Sequence, residues 1–321
     1  MRKQILTLVL ITLFYSTGIS TIKSQVLIDK PNHNDKCNVI LAYKYFEQFL
    51  DSGEYTWENY KKLVLDSCPA INRMTESYLQ DEIFDIEEYR EMISDIDADS
   101  LREIIRQVDD NNLREATNLI IKKANERLNL SMEKELDIVY YLFPTRDYQF
   151  RVVMGRPTIC MAINVGELYG ISNIMDILPR AFSHEYGHCL HYQLRPDMKS
   201  QLKTWIVEEG IACNVTKMVF ENSSIYDALL MMPKRAVDWC MENEELIKTT
   251  MRKELEKSNL DVKKKFYMGG VSAENRPAGF PEKTAYYVGY LIIESCLEKA
   301  SLKEVCALPA DSLLTLSGFF D

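Results

Sequence analysis

Three of the four histidines in this chain lie within eight residues, in the stretch RAFSHEYGHCLHYQL that covers residues 180–194. On a helix, His184 and His188 would be one turn apart along the axis and about 40° apart around it, so both imidazoles would project the same way. Glu185 lies beside them. The spacing H-E-x-x-H is typical of two zinc ligands with a glutamate that acts as a base.

One zinc ion suits these residue types. Neutral imidazole binds Zn²⁺, and a catalytic zinc site has three protein ligands and one open position for water. The ion lowers the pKa of that water to about 7, and a nearby carboxylate accepts the proton. We therefore predict one Zn²⁺ with His184 and His188 as ligands and Glu185 as the catalytic base. The alternative is a pair of ordinary core or surface histidines on a helix.

The third ligand must come from further along the chain. One zinc pattern continues with glycine and histidine three and six residues after its second histidine, but the chain has His191 and Leu194 there. Glu208 and Glu209 follow in TWIVEEGIACNV, on a helix that could return alongside the first. Glu209 lies on the slightly more apolar face, where a carboxylate needs a cation or a metal to offset its desolvation. The two faces differ little, so Glu208 stays open as the ligand.

At these residues the sequence resembles the gluzincin metallopeptidases, in which a ligand glutamate follows H-E-x-x-H at a similar distance. Twenty residues separate His188 from Glu209 here. The segment WIVEEGIA is similar to the W-L-x-E-G-x-A segment of several gluzincin families, with one extra residue between the tryptophan and the glutamate. Alignment on the E-G pair selects Glu209 as the third zinc ligand.

A fuller similarity is to a poorly characterised family of predicted zinc-dependent proteases with H-E-Y-x-H and E-G-x-A. That family also has a later helix with a G-Y-x-x-G-Y-like pattern and a C-terminal SGF segment, which are AYYVGY and LTLSGFF here. The similarity covers about residues 135–321 and implies a zinc enzyme that cleaves a peptide or protein substrate. The aminopeptidase motif G-x-M-E-N is absent, so the resemblance does not imply that activity.

A zinc peptidase also needs a hydrogen-bond donor for the oxyanion of its tetrahedral intermediate. Tyr286 and Tyr290 are four residues apart on a predicted helix and would share one face. The resemblance favours Tyr286 as this catalytic donor, then Tyr290 and then Tyr287, and aromatic packing in the core is the alternative for each. Arg276, in NRPAGF, could bind a substrate carboxylate or have a structural role.

The predicted fold class is α+β. Three runs rich in β-branched and aromatic residues predict strands, and they are LDIVYYLF, YQFRVVM and TICMAINV. The last two form a predicted hairpin, and TICMAINV is predicted at the sheet edge above the metal, where an extended peptide could pair with it. Helices are predicted at about 176–194, 200–220, 234–258 and 282–299. Together they describe a zincin-like catalytic domain, with a small mixed sheet, an active-site helix and C-terminal helices, preceded by an all-α region.

We predict three segments along the chain, which are a signal peptide at 1–24, a helical region at 25–134 and a zincin-like metallopeptidase domain at 135–321. The first segment has Arg2 and Lys3, then the apolar run ILTLVLITLF, then small residues, which is the order of an export signal. Its apolar run is short for a bilayer span, which favours a cleaved signal over an uncleaved anchor. No other segment is apolar enough to cross a membrane, so we expect no membrane insertion after the signal is removed. The expected location is secreted, periplasmic or at the cell envelope.

The charge balance limits the partners. The net charge of −10 becomes −13 without residues 1–24, which hold three basic residues and no acid. This acidity argues against nucleic acid and anionic membranes as partners. Eight cysteines permit disulfides in an exported chain, but the sequence does not select a pairing or indicate an oligomeric state.

Two functions of different classes follow from these residues. The leading hypothesis is an exported zinc-dependent peptidase with a glutamate general base. The alternative is a catalytically silent binding protein that keeps a zincin scaffold at the cell envelope or a host interface. Glu185 disfavours the second hypothesis, because a pure binding site needs no base. A zinc hydrolase that acts on a non-peptide amide is a third hypothesis.

Overall fold

A computed structural model describes most of the chain after the predicted signal peptide. The described residues are 37–80, 86–110, 112–142, 150–153, 158–163, 177–195, 199–230, 232–268, 273–277 and 279–321. The predicted signal peptide lies outside these ranges.

A mixed sheet of four strands forms one layer of the described fold. The strands are β1 Cys37–Leu41, β2 Leu136–Tyr141, β3 Phe150–Val153 and β4 Thr158–Ala162, in the spatial order β1-β2-β4-β3. β1, β2 and β4 run parallel, and β3 is antiparallel to β4. β2 and β4 are buried along their whole length, as is typical of central parallel strands that are covered on both faces.

The sheet confirms part of the strand prediction and corrects two details. The predicted hairpin is present as the antiparallel pair β3–β4. However, β4 lies between β2 and β3, so the prediction that TICMAINV forms the sheet edge is wrong, and β3 is at that edge of the described sheet. The second correction concerns β1, because Cys37–Leu41 lies in the region 25–134 that was predicted to be helical. The backbone of this apolar segment pairs with buried β2, with Val39 opposite Ile138. This tertiary pairing overrides the local pattern.

The region before β2 therefore contains a strand and is not all-α. After β1, its helices are α1 Tyr43–Ser52, α2 Trp57–Tyr60, α3 Pro69–Gln80, α4 Ile86–Ser94, α5 Ala98–Asp110 and α6 Leu113–Leu128, and a π-helical segment at Lys61–Leu65 continues α2. α6 contacts the later helices directly. Asn125 accepts a hydrogen bond of 2.9 Å from the Tyr186 hydroxyl, and Arg127 donates to the carbonyl of Val219 at 2.9 Å.

The part of the chain after the sheet is helical. Its helices are α7 Leu178–Leu194, α8 Leu202–Val219, α9 Ile225–Ala228, α10 Lys234–Glu242, α11 Glu244–Arg252, α12 Leu260–Phe266, α13 Thr284–Leu297, α14 Leu302–Ala307 and α15 Ala310–Ser317. α7, α8 and α13 agree with predicted helices. The single helix predicted at 234–258 is wrong, because Asn243 leaves the helical conformation (φ −121°, ψ 26°) and its side chain donates to the Trp239 carbonyl. The backbone therefore turns between α10 and α11.

Two glycines allow α8 and α13 to cross at very short range. A Cβ on Gly210 would lie 2.2 Å from the carbonyl oxygen of Gly289, and a Cβ on Gly289 would lie 2.1 Å from the carbonyl oxygen of Ile206. Real Cβ atoms do not approach backbone atoms this closely, so either side chain would push the helices apart. Gly210 directly follows Glu209, and the crossing therefore helps to fix the position of that carboxylate.

We expect Gly210→Ala to destabilise the protein by about 3 kcal/mol, because the added methyl group overpacks two backbones. Helix propensity alone favours alanine by about 1 kcal/mol, so the sign of the change separates the two effects. Chemical denaturation measures it. Gly187→Ala is the graded comparison, since its Cβ would lie 2.8 Å from Ala212 Cα, and its loss should be smaller. A Gly210→Ala protein as stable as the wild type would contradict the close crossing.

Candidate metal centre

The helix α7 carries both histidines of the H-E-x-x-H pattern and packs against α8, β3 and β4. It begins one residue after Ile177, with Pro179 in its first turn, where a missing N–H is tolerated. It ends at Leu194, as the sequence predicted. Gly187 lies between the histidines and faces Ala212 of α8, so the absence of a side chain lets the two helices approach closely.

His184, His188 and Glu209 converge on one point. Nε2 of His184 is 3.1 Å from Oε2 of Glu209, and Nε2 of His188 is 3.6 Å from the same oxygen. Each of the three residues offers one ligand atom, and these atoms all lie within 4.8 Å of one another. The three side chains are buried, and Glu209 is only 2% exposed. Within the described residues, this is the cluster of ligand-type side chains that could hold a metal ion.

The geometry of this triad fits zinc. Bonds of about 2.0–2.1 Å place two ligands of a tetrahedral zinc ion roughly 3.3–3.4 Å apart. The two distances to Glu209, 3.1 and 3.6 Å, lie on either side of that value. Two imidazoles and a carboxylate are also the donor set of a common class of catalytic zinc sites. The sequence-predicted ligands therefore form a site of the correct size and chemistry for one Zn²⁺.

The side chains of Glu209 and His188 strongly affect each other's pKa values. Burial by itself raises the pKa of Glu209, but His188 and His184 outweigh it and hold that pKa well below its ordinary value. Burial likewise lowers the pKa of His188, and Glu209 outweighs it and raises the value to about 9. A buried carboxylate that neighbouring histidines hold in its ionised form is well suited to bind a metal ion.

Tyr267 orients the carboxylate of Glu209. Its hydroxyl donates a hydrogen bond of 2.7 Å to Oε1, the oxygen that does not face the histidines. Burial and then Glu209 raise the pKa of this phenol well above its ordinary value, so it stays a donor. The sequence analysis missed Tyr267, because it follows α12 without a motif or a periodic position, and only the folding of the chain brings it to Glu209.

The outer ring nitrogens of the two histidines differ in their surroundings. Nδ1 of His184 faces the Cys213 thiol, whose sulfur lies 3.9 Å away. Nδ1 of His188 is buried and has no hydrogen-bond partner in the described part of the chain. The His191 ring is also buried, and burial, then His188 and Arg195, lower its pKa to about 3. His191 is not one of the three ligand-type residues that converge.

Glu185 is well placed to act as a base. Its carboxylate is buried beside the triad, 8% exposed, and forms no hydrogen bond or ion pair with the residues that the structure describes. Burial raises its pKa, Glu209 adds to the increase, and His188 and His184 oppose it. A raised pKa makes a carboxylate a stronger proton acceptor.

Glu208, the alternative ligand, does not join the triad. It is half-buried on α8, and burial followed by Glu209 raises its pKa to about 7, against the opposing charges of His188 and Lys263. It is absent from the group of converging ligand atoms, which contains Glu209 instead. The structure thus favours the choice made from the E-G alignment.

The three candidate tyrosines lie in different surroundings. The Tyr286 ring is parallel to that of His184, with an interplanar angle of 7° and centroids 6.1 Å apart. The Tyr290 hydroxyl instead donates to Glu294 at 2.6 Å and accepts from Lys217 at 2.8 Å. Tyr287 donates to Glu244 at 3.5 Å. Tyr286 is therefore the candidate that the fold brings against a metal ligand, and its role as oxyanion donor stays a prediction.

The Arg276 side chain contacts residues of its own chain segment. Its guanidinium donates to the Phe280 carbonyl at 3.2 Å and lies 4.0 Å from the Glu282 carboxylate. These contacts are those of a structural arginine, which was the alternative to substrate binding.

The comparison with protein families agrees with this site. A family model described as Predicted Zn-dependent protease (DUF2268) matches residues 117–315. The matched range is more than half of the chain, begins within α6, and includes the triad and Glu185. Neither the curated proteins nor the solved structures contain a significant match.

Proposed function

Because the chain belongs to the DUF2268 family of predicted Zn-dependent proteases, we propose that it is an exported peptidase that hydrolyses peptide bonds with Glu185 as general base. The observation that carries this proposal is the convergence of His184, His188 and Glu209, with the Glu185 carboxylate beside them and without a partner among the described residues. A site that only bound zinc would not need that second buried carboxylate.

His184, His188 and Glu209 would hold one Zn²⁺ in this mechanism, and Tyr267 would keep the Glu209 carboxylate in its binding orientation. When bound, such an ion supplies Lewis-acid chemistry, which acidifies water and polarises a carbonyl group. Glu185 accepts the proton of the attacking water and then delivers it to the nitrogen of the leaving amine. Tyr286 is our candidate for the hydrogen bond to the oxyanion, because its ring lies against His184.

A peptide substrate is supported by the sheet as well as by the family. Among the described strands, β3 lies at the edge of the sheet next to β4, and α7 packs against both strands. An extended peptide could add to this edge through main-chain hydrogen bonds and so lie alongside the helix that carries the histidines. β3 therefore replaces β4 as the proposed peptide-binding strand, because β4 has a neighbouring strand on both sides.

Export is supported by the signal-like order of residues 1–24. Among the described residues, no helix combines the length and the hydrophobicity that a bilayer span requires. The proposed location is therefore secreted, periplasmic or at the cell envelope.

The direct test is cleavage of a mixed peptide library by protein whose zinc content has been measured. We expect about one zinc per chain, cleavage of peptide bonds, loss of cleavage on treatment with a chelator, and recovery when zinc is returned. Bound zinc without cleavage of any peptide would instead support the silent binding protein. Cleavage that survives complete zinc removal would contradict the proposed mechanism.

A further inference from the structure

Lys283 occupies a costly position at the start of α13. It directly precedes Thr284, and its backbone is left-handed, with φ 59° and ψ 26°. Any side chain with a Cβ costs free energy in that conformation, and a cation at a helix N-terminus is opposed by the helix dipole. Neither backbone preference nor helix electrostatics accounts for a lysine here. Unfavourable local conformations of this kind are frequent at functional sites.

The Lys283 side chain lies beside the metal centre. Its Nζ atom is 5.7 Å from the centre of the Tyr286 ring, and that ring is parallel to the ring of His184. Burial lowers the pKa of Lys283, and the negative charges of Glu209 and Glu282 oppose that shift. A half-buried lysine therefore contacts the same aromatic ring as His184, one of the candidate zinc ligands.

The ammonium of Lys283 has no acceptor of its own in the described part of the chain, since it forms neither a hydrogen bond nor an ion pair there. Other shielded lysines differ. Lys203 bonds Glu256 and Asp311, both at 2.7 Å, and Lys217 bonds Glu294 at 2.5 Å. The π face of Tyr286 attracts a cation but accepts none of its N–H bonds in the usual geometry. Lys283 thus has donors available for an external acceptor.

We propose that the Lys283 ammonium binds a carboxylate of the peptide substrate beside the metal centre, an inference that rests on the proposed peptidase function. Hydrogen bonds between an ammonium and a carboxylate are charge-assisted and stronger than neutral ones. Lys283 and His184 both lie against the Tyr286 ring, so the bound carboxylate would lie near the metal centre. It can be the free C-terminus or an acidic side chain, and the chemistry is the same in both cases.

Two matched pairs of peptides distinguish the sources of this carboxylate. One pair has a free C-terminal acid or an amide, and the other has glutamate or glutamine near the cleaved bond. We expect kcat/KM to be about 10-fold higher for the carboxylate member of one pair. Lys283→Gln should reduce that ratio to near one, with kcat/KM for the neutral member changed less than about twofold. Lys283→Arg should keep most of the preference, because it keeps the charge.

Two further variants control for structural effects. Lys248→Gln should leave the ratio unchanged, because Lys248 also lies over an aromatic ring, Phe319, but is paired with Glu244 and Glu245. Lys283→Gly should lose the preference and yet raise Tm by about 2 °C, since it relieves the left-handed backbone. An equal ratio in the wild-type and Lys283→Gln proteins, or no preference in either pair, would overturn the inference.

A binding measurement separates this inference from the proposed function. Calorimetry would measure the binding of mixed hexapeptides that have a free acid or an amide at the C-terminus, and that contain or lack glutamate. The protein would be zinc-loaded Glu185→Gln, which should not cleave them, and the same protein with Lys283→Gln added. Cleavage without any preference for a carboxylate would contradict the Lys283 inference and would still support the proposed peptidase function. Carboxylate-selective binding that depends on Lys283, in a protein that cleaves nothing, would preserve the inference and refute the peptidase.

Discussion

Glu185→Gln should reduce peptide cleavage by about 100- to 10,000-fold and leave one zinc bound per chain, since general-base catalysis contributes about 10²–10⁴-fold. Glutamine has nearly the same size and shape as glutamate but cannot accept the proton of the attacking water. The Glu185 carboxylate has no hydrogen bond or ion pair in the described residues, so the fold does not depend on its charge. Steady-state cleavage and zinc analysis on the same preparation measure both quantities.

The matched control for this substitution is Glu208→Gln. Glu208 is also a shielded carboxylate with a raised pKa near the triad, but it lies on α8 and outside the ligand group. It should keep most of the activity. If Glu185→Gln cleaved peptides at the normal rate, Glu185 would not be the base, whereas a variant that lost zinc would point to a structural role for this carboxylate.

Glu209→Gln should lower zinc affinity by more than about 100-fold and abolish cleavage with it, because losing a direct ligand should cost at least as much as losing an outer-shell partner. The amide carries no charge to balance the ion, and its oxygen is a weaker ligand than a carboxylate. The two histidines would then face a neutral amide in place of the acid that lies 3.1 and 3.6 Å from them. Competition with a fluorescent zinc chelator measures the affinity.

Two variants make this a graded series. Tyr267→Phe removes only the hydrogen bond to Glu209, so zinc affinity should fall by about 10- to 100-fold. Glu208→Gln should bind zinc as the wild type does. The opposite pattern, with zinc lost in Glu208→Gln and kept in Glu209→Gln, would reverse the assignment of the third ligand.

Local sequence was informative wherever the chemistry lies within one helix. The i, i+4 spacing of His184 and His188 places both rings on one side of α7 whatever surrounds it, and the helix ends at Leu194 as predicted. The E-G pair also selected Glu209, which lies with these two histidines in the structure. By contrast, the short apolar segment Cys37–Leu41 fits either a helix or a strand, and its pairing with β2 decided the outcome.

The sequence by itself determined the residues that can hold zinc, the carboxylate beside them and the helices that carry both, because residue type and helical period are local properties. Only the tertiary structure decided that β3 and not β4 forms the sheet edge, that Tyr267 bonds Glu209, and that Lys283 lies over Tyr286. Each of these depends on contacts between segments that no local pattern encodes. The crossing at Gly210 and Gly289 shows the same limit, since a close approach of two backbones is a property of the packed helices.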